Sequence, residues 1–203
     1  EELVSDIEAF HLGDLENLPI EQEKVPRAYD GEAANQRAWI WDIALTSDGR
    51  PAIVYSTLPE ETQHFYNWGA WTGKEWKNTR ICNAGSAFPR FSRQKQDRDP
   101  EPHYSGGIVL DHNDPARVYL SRPVNDRYEI EEWITGDGGK SFSGRPVTSK
   151  SLKDNVRPFV VRNAPSSLSP RVLWMYINHY EHYTNFSTTI KGNEAARKFS
   201  ACL

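Results

Sequence analysis

Two arginines, two histidines and a tyrosine stand close to the ends of strand-like runs in the sequence. They are His64, His103, Tyr104, Arg122 and Arg157. A guanidinium grips a carboxylate through two parallel hydrogen bonds, and imidazole or phenol groups transfer protons. If the fold gathers them in one place, these five side chains suit a sugar that carries a carboxylate.

The elements that must position these side chains are hairpins, and one hairpin pattern occurs three times. It reads WDIALTSDGRPAIVYS at 41–56, SGGIVLDHNDPARVYLS at 105–121 and VRPFVVRNAPSSLSPRVLWMY at 156–176. In each, an apolar, β-branched run precedes a turn rich in Gly, Pro, Asp, Asn or Ser, and a second apolar run follows. More strand-like sequence follows the first two hairpins. We therefore predict an all-β chain built from units of about four antiparallel strands, and repeats of this length favour a β-propeller.

The up-and-down order of strands in such a unit sorts its loops between two faces. Segments before the first strand and between the second and third strands share one face, and the other turns share the opposite face. Loops at one end of a rigid scaffold are where binding groups usually lie. The segments that this rule places on the shared face are 39–42, 103–106, 155–158, 57–64, 122–127 and 176–179.

On this face we expect a catalytic group and a substrate-binding group of residues. The predicted catalytic residues are His64, Tyr104 and Arg122. The predicted substrate-binding residues are Trp41, Asp42, His103 and Arg157.

Each assignment has a structural alternative. Tyr104 could pack against the backbone at 106–107, and His64 could be a solvated loop residue. Arg122 and Arg157 each precede a proline, which holds the backbone extended. Both arginines could bind a ligand or form a salt bridge between blades, for which the candidate partners are Glu129, Glu131 and Glu132.

One turn has a more specific pattern. Residues 135–142, TGDGGKSF, fit S/T-x-D-x-G-x-x-W/F, the Asp-box. The carboxylate of Asp137 is expected to accept hydrogen bonds from the turn's own amides, a glycine takes a positive φ, and Phe142 packs into the blade. We interpret this turn as a folding device between the third and fourth strands of a unit.

These hairpins and the Asp-box, in this order, resemble the BNR (bacterial neuraminidase repeat) Asp-box propellers, a family that contains ulvan lyases and related enzymes acting on rhamnose-glucuronate polymers. The similarity runs from about Arg37 to about Lys191. It implies a seven-bladed propeller of which this chain is a part, with the remaining blades as partners. Blades are then expected at about 38–82, 103–149 and 155–191, with 1–37 as the tail and linker of a preceding blade and a short C-terminal tail. A His-bearing motif that is catalytic in several of these lyases is not found in this chain.

Three functions fit this resemblance. A polysaccharide lyase would neutralise a uronate carboxylate with Arg, remove the C5 proton with His or Tyr, and return a proton to the departing oxygen. A glycoside hydrolase of the same family needs a pair of carboxylates, and Asp42 is the one acid that falls clearly on the predicted face. A non-catalytic propeller that binds glycan is the third function. Sialidase action fits less well, because its N-terminal arginine motif is not present.

Composition limits the other classes of function. The 203 residues carry a net charge of −4, with 24 basic residues scattered among 28 acidic ones, so no basic patch indicates nucleic acid. No apolar run approaches the length of a membrane span. A secreted or periplasmic location is expected, although the chain shows no targeting segment.

Cys82 and Cys202 could form a bridge, be free, or join a metal site. No metal motif is recognised; some relatives carry a structural zinc, and zinc or calcium both stay open.

Overall fold

The described residues of the chain form three antiparallel β-sheets. The computed structural model describes residues 26–60, 63–85, 106–165, 167, 170–182 and 184–193, but not the side chains of 181 and 182. Within these ranges there are two four-stranded sheets and one three-stranded sheet, and no helix. The prediction of an all-β chain with three successive antiparallel units is therefore confirmed.

Each sheet follows the chain from strand to neighbouring strand. The first sheet contains β1 (Arg37–Leu45), β2 (Pro51–Glu60), β3 (Gln63–Trp71) and β4 (Trp76–Gly85). The second contains β5 (Ile108–Leu110), β6 (Arg117–Val124), β7 (Arg127–Ile134) and β8 (Ser143–Pro146). The third contains β9 (Asn155–Val160), β10 (Val172–His182) and β11 (Asn185–Gly192).

The first and second sheets share a hydrophobic core. Side chains alternate between the two faces of a strand, so Ala52 and Val54 of β2 point towards the second sheet. Trp68 also donates a hydrogen bond from Nε1 to the carbonyl of Pro115, at 2.9 Å, so that its polar edge is satisfied inside the interface. The buried members of this core are Ala44, Ala52, Val54, Tyr66, Trp68, Ile81, Ala84, Ile108, Leu110, Val118 and Leu120.

A second core joins the second and third sheets. It contains Val109, Tyr119, Ile130, Val160, Val172 and Trp174. One hydrogen bond crosses the same interface: Ser121 Oγ donates to the carbonyl of Asn155 at 2.6 Å. Within the third sheet, Trp174 Nε1 donates to Asn155 Oδ1 at 2.8 Å. An ion pair between Arg171 and Asp111, at 2.5 Å, adds a charged contact. The three sheets therefore stack in chain order.

The first strands of the three sheets are neighbours, because β1 contacts β5 and β5 contacts β9. We call the end of a sheet where its first strand begins the upper end, and the opposite end the lower end. Upper ends adjoin each other: the amide of Arg157, in β9, donates to the carbonyl of Gly106, just before β5, at 2.5 Å. Lower ends also adjoin: Asn113, after β5, donates to the carbonyl of Ala164, after β9, at 2.6 Å.

The Asp-box has the expected structure and lies between β7 and β8. Asp137 Oδ1 accepts hydrogen bonds from the amides of Lys140 and Ser141, both at 2.9 Å. Gly138 has a φ of 71°. Phe142 packs with its ring 5.8 Å from that of Trp68, so the closing aromatic contacts the first sheet as well as its own.

The two outermost faces of the stack carry exposed apolar side chains. On the first sheet, Ile43 and Leu45 are 55% and 62% exposed and point away from the second sheet, because the intervening Ala44 points towards it. On the third sheet, Phe159 is 56% exposed and alternates with the buried Val160. Apolar side chains of the same kind are buried where two sheets of the stack pack together. In the described part of the chain, no helix has the length and apolar character to span a membrane.

Candidate functional site

Trp41 and Arg157 meet where the first strands of the three sheets come together. A register shift between Ile40 and Asp42 makes Trp41 the extra residue of a β-bulge in β1. Its indole Nε1 donates to Ser56 Oγ at 2.7 Å, which fixes the ring. The guanidinium carbon of Arg157 lies 5.0 Å from the centre of the indole ring, within range of a cation–π interaction. Two of the predicted binding residues are thus in contact, although 116 positions separate them in the chain.

The backbone of Arg157 differs from the expectation. The proline that follows favours an extended conformation, yet Arg157 has a φ of 57°, in the left-handed region. A non-glycine residue in this region is strained by about 1 to 2 kcal/mol. Its surroundings compensate: the amide of Arg157 donates to the carbonyl of Gly106, and its guanidinium lies against the indole of Trp41. The extended prediction is wrong at this residue because contacts between sheets outweigh the local preference.

Arg122 is held by a carboxylate of its own sheet. Its Nε and Nη2 donate to the two oxygens of Glu131 at 2.7 and 3.0 Å, a bidentate pair between β6 and β7. Trp133 Nε1 donates to the same carboxylate at 2.8 Å. Arg122 therefore forms a salt bridge, which was one of its two predicted roles. The bridge lies within the second sheet and not between two sheets.

His64 lies at the upper end of β3 and is completely buried. Burial lowers the pKa of its imidazole to about 4, and a hydrogen bond with the backbone of Gly85 opposes this effect. Its ring stands edge-on to Tyr66, with 5.9 Å between centres. His64 is therefore neutral at pH 7 and enclosed by protein, which differs from the expected solvent-accessible catalytic or loop residue.

The carboxylate of Asp42 gathers a cluster at the lower ends that sequence reasoning missed. It accepts hydrogen bonds from the amides of Ile43 and Leu110, at 2.9 and 3.1 Å. His112 Nε2 lies 3.0 Å from Oδ2, and Arg162 Nη2 donates to Oδ1 at 3.2 Å. We call Asp42, His112 and Arg162 the Asp42 cluster. It joins all three sheets and holds an imidazole and a guanidinium on one buried carboxylate.

In the Asp42 cluster, the carboxylate of Asp42 points away from the upper-end residues with which strand order had grouped it. Its partners follow β5 and β9, so the carboxylate faces the lower turns. The imidazole comes from the DHNDP turn at 111–115, one of the turns that strand order assigned to the opposite face. A histidine two residues after an apolar strand was the available signal, but its partner Asp42 is 70 positions away.

Two further predicted residues, His103 and Tyr104, lie outside the described residues. Cys202 lies outside them too, whereas Cys82 is a partly buried free thiol whose pKa burial raises to about 12. Among the described residues, no group of three or more His, Cys, Asp or Glu side chains is arranged to hold a metal ion.

Comparison of the chain with known protein families, curated proteins and solved structures finds no match. Any statement about activity therefore depends on the residues themselves.

Proposed function

We propose that the chain is part of a BNR-type β-propeller that acts on uronate-containing polysaccharide as a lyase. Three features support the propeller: antiparallel meanders of four, four and three strands stack in chain order, their first strands are neighbours, and an Asp-box closes the third turn of the second sheet. Further blades of the same kind would pack against the exposed apolar side chains of the first strands β1 and β9, which are Ile43, Leu45 and Phe159. The expected location outside the cell fits a polymeric substrate.

The observation that carries the proposal is the contact between Arg157 and Trp41. Strained backbone positions cluster at functional sites, and Arg157 is such a position. Arg157 is partly buried, and its guanidinium lies beside an indole whose orientation is fixed by Ser56. A planar cation next to an aromatic ring offers a uronate residue both a bidentate partner for its carboxylate and an apolar surface for its ring.

The elimination itself requires three events. Arg157 neutralises the carboxylate, which makes the proton on C5 more acidic. A base removes that proton, a double bond forms between C4 and C5, the bond from C4 to the glycosidic oxygen breaks, and the protonated base gives its proton to the departing oxygen. Tyr104 remains the proposed base, because His64 is enclosed in the protein and cannot reach a bound polymer in this arrangement.

A binding module without catalysis is the second candidate. It is favoured by the state of two predicted catalytic residues: His64 is buried, and Arg122 is engaged by Glu131. Acidic glycan would then bind at Trp41 and Arg157 and leave unchanged.

The test incubates the chain with ulvan and with glucuronate-rich gums while following the ultraviolet absorbance of unsaturated uronate. A rise supports the lyase. New reducing ends without that absorbance would replace the lyase by a hydrolase, and binding without cleavage would leave the binding module.

Arg157→Lys keeps the charge but loses the bidentate grip, so we expect affinity or turnover to fall about ten- to a hundredfold. Arg162→Lys, a change at the lower end, is the matched control and should have little effect. Equal effects of the two changes, or no binding by the unchanged chain, would refute the proposal.

A further inference from the structure

A cleft on the outer face of the first sheet contains two indole rings. Trp71 ends β3, Trp76 begins β4, and the two are directly opposite each other in the sheet register. Their ring centres are 5.9 Å apart and their planes are inclined by 56°, so the rings form an open angle and are not stacked flat. Both side chains are only partly buried. Large aromatic surface is therefore available at the tip of this hairpin.

Hydrogen bonds within the chain hold the walls of the cleft in place. In the hairpin turn, Thr72 Oγ1 donates to the carbonyl of Glu75 at 2.9 Å and accepts from the amide of Glu75 at 3.0 Å. On the opposite wall, Asn78 Nδ2 donates to the carbonyl of Ala28 at 2.8 Å, which attaches residues 26–30 to the sheet. A preorganised site loses less entropy when it binds.

The size and charge of the cleft limit what it can bind. Its volume is about 370 Å³, near the lower limit for small-molecule sites. It is lined by two cationic and two anionic side chains, so the lining has no net charge; these are Arg27, Lys74, Asp30 and Glu75. Arg27 and Asp30 also pair with each other, at 2.7 Å. A charged ligand would therefore gain little net electrostatic attraction in this cleft.

We propose that this cleft, which we call the Trp71–Trp76 cleft, binds one neutral sugar residue of a glycan chain. The apolar face of a pyranose ring would lie against the indoles, and its hydroxyl groups would reach donors and acceptors among Lys74, Glu75 and Asn78. This site is on the outer face of the first sheet, whereas Trp41 packs towards the second sheet. The inference does not rest on the proposed lyase activity.

The experiment titrates the chain with a neutral cello-oligosaccharide and with an oligoglucuronate while recording tryptophan fluorescence and the indole N–H signals in NMR spectra. We expect the neutral oligosaccharide to shift the signals of Trp71 and Trp76. Trp71→Ala and Trp76→Ala should each weaken its binding at least about tenfold. Trp39→Ala removes another indole, 52% exposed, and is the matched control that should retain binding.

Two further measurements keep the test decisive if an alanine variant loses structure. Far-ultraviolet circular dichroism reports whether the sheets are intact, and Glu75→Gln removes a lining carboxylate while leaving both rings in place. We expect Glu75→Gln to weaken binding about threefold or more. The inference is overturned if the neutral oligosaccharide does not bind, if the folded Trp71 and Trp76 variants bind it as well as Trp39→Ala does, or if the cleft responds only to the oligoglucuronate.

Discussion

Replacing Tyr66 by phenylalanine tests whether the first and second sheets are held in register by a single hydroxyl group. Tyr66 is completely buried, and its hydroxyl donates to the carbonyl of Ser121 at 2.9 Å while accepting from the amide of Gly107 at 2.7 Å. It thus connects β3 with β6 and with the start of β5. Tyr66→Phe keeps the ring and removes both hydrogen bonds.

The expected cost follows from the two groups that lose their partner. Ser121 and Gly107 are both buried, so water does not readily replace the hydroxyl. A buried polar group left without its hydrogen bond costs about 1 to 3 kcal/mol, and we expect Tyr66→Phe to lower the free energy of unfolding by about 2 to 5 kcal/mol. Urea unfolding followed by tryptophan fluorescence measures this change, with an unchanged m-value if the native fold is retained.

Tyr119→Phe is the matched control. Tyr119 is also buried, and its hydroxyl donates to Glu132 at 2.9 Å, but that carboxylate keeps ion pairs with Arg117 and Arg145. Because one hydrogen bond to a carboxylate is lost and no buried group is left without a partner, the control should cost about 1.5 kcal/mol. If Tyr66→Phe destabilises the chain no more than Tyr119→Phe does, the hydroxyl does not hold the sheets together and the reasoning fails.

Three other changes give distinct expectations. Gly139→Ala introduces a Cβ 2.8 Å from Trp68 Cε3 at a φ of 84°, so we expect the free energy of unfolding in urea to fall by about 2 to 5 kcal/mol. The Cβ of Gly136→Ala meets no atom within 4 Å, so this control should change the free energy of unfolding by less than about 0.5 kcal/mol. Burial lowers the pKa of His64 from 6.5 to about 4, so the unfolded chain binds more protons between these two pH values. The contribution of His64 to the free energy of unfolding is therefore full above about pH 6.5 and falls as the pH drops towards 4. His64→Gln should remove this part of the pH dependence of stability, and an unchanged pH profile would contradict the expectation. The pKa of Asp137 lies below its usual value because its carboxylate accepts hydrogen bonds within the Asp-box, above all from Ser141. Asp137→Asn should therefore lower the free energy of unfolding at neutral pH and make acid unfolding below about pH 4 less steep. A pH titration followed by circular dichroism measures both effects.

The local features of the fold could be predicted from the sequence because neighbouring residues decide them. Alternating apolar residues and turn residues predicted three antiparallel units, since a strand side chain's face depends on a period of two. The Asp-box was predicted in detail because its carboxylate bonds to amides only three and four residues away. The upper-end position of Arg157 also followed from strand order alone.

Contacts between sheets were decided by the tertiary structure. The bulge at Trp41, which no pattern in the sequence marks, accompanies the displacement of Asp42 towards the lower turns, where its partners are 70 and 120 positions away. The burial of His64 and the capture of Arg122 by Glu131 likewise depend on which faces pack together and on which side chains then lie opposite each other. A sequence specifies which residues alternate along a strand, but the stacking of one sheet on another determines whether a polar side chain reaches solvent, a ligand or a buried partner.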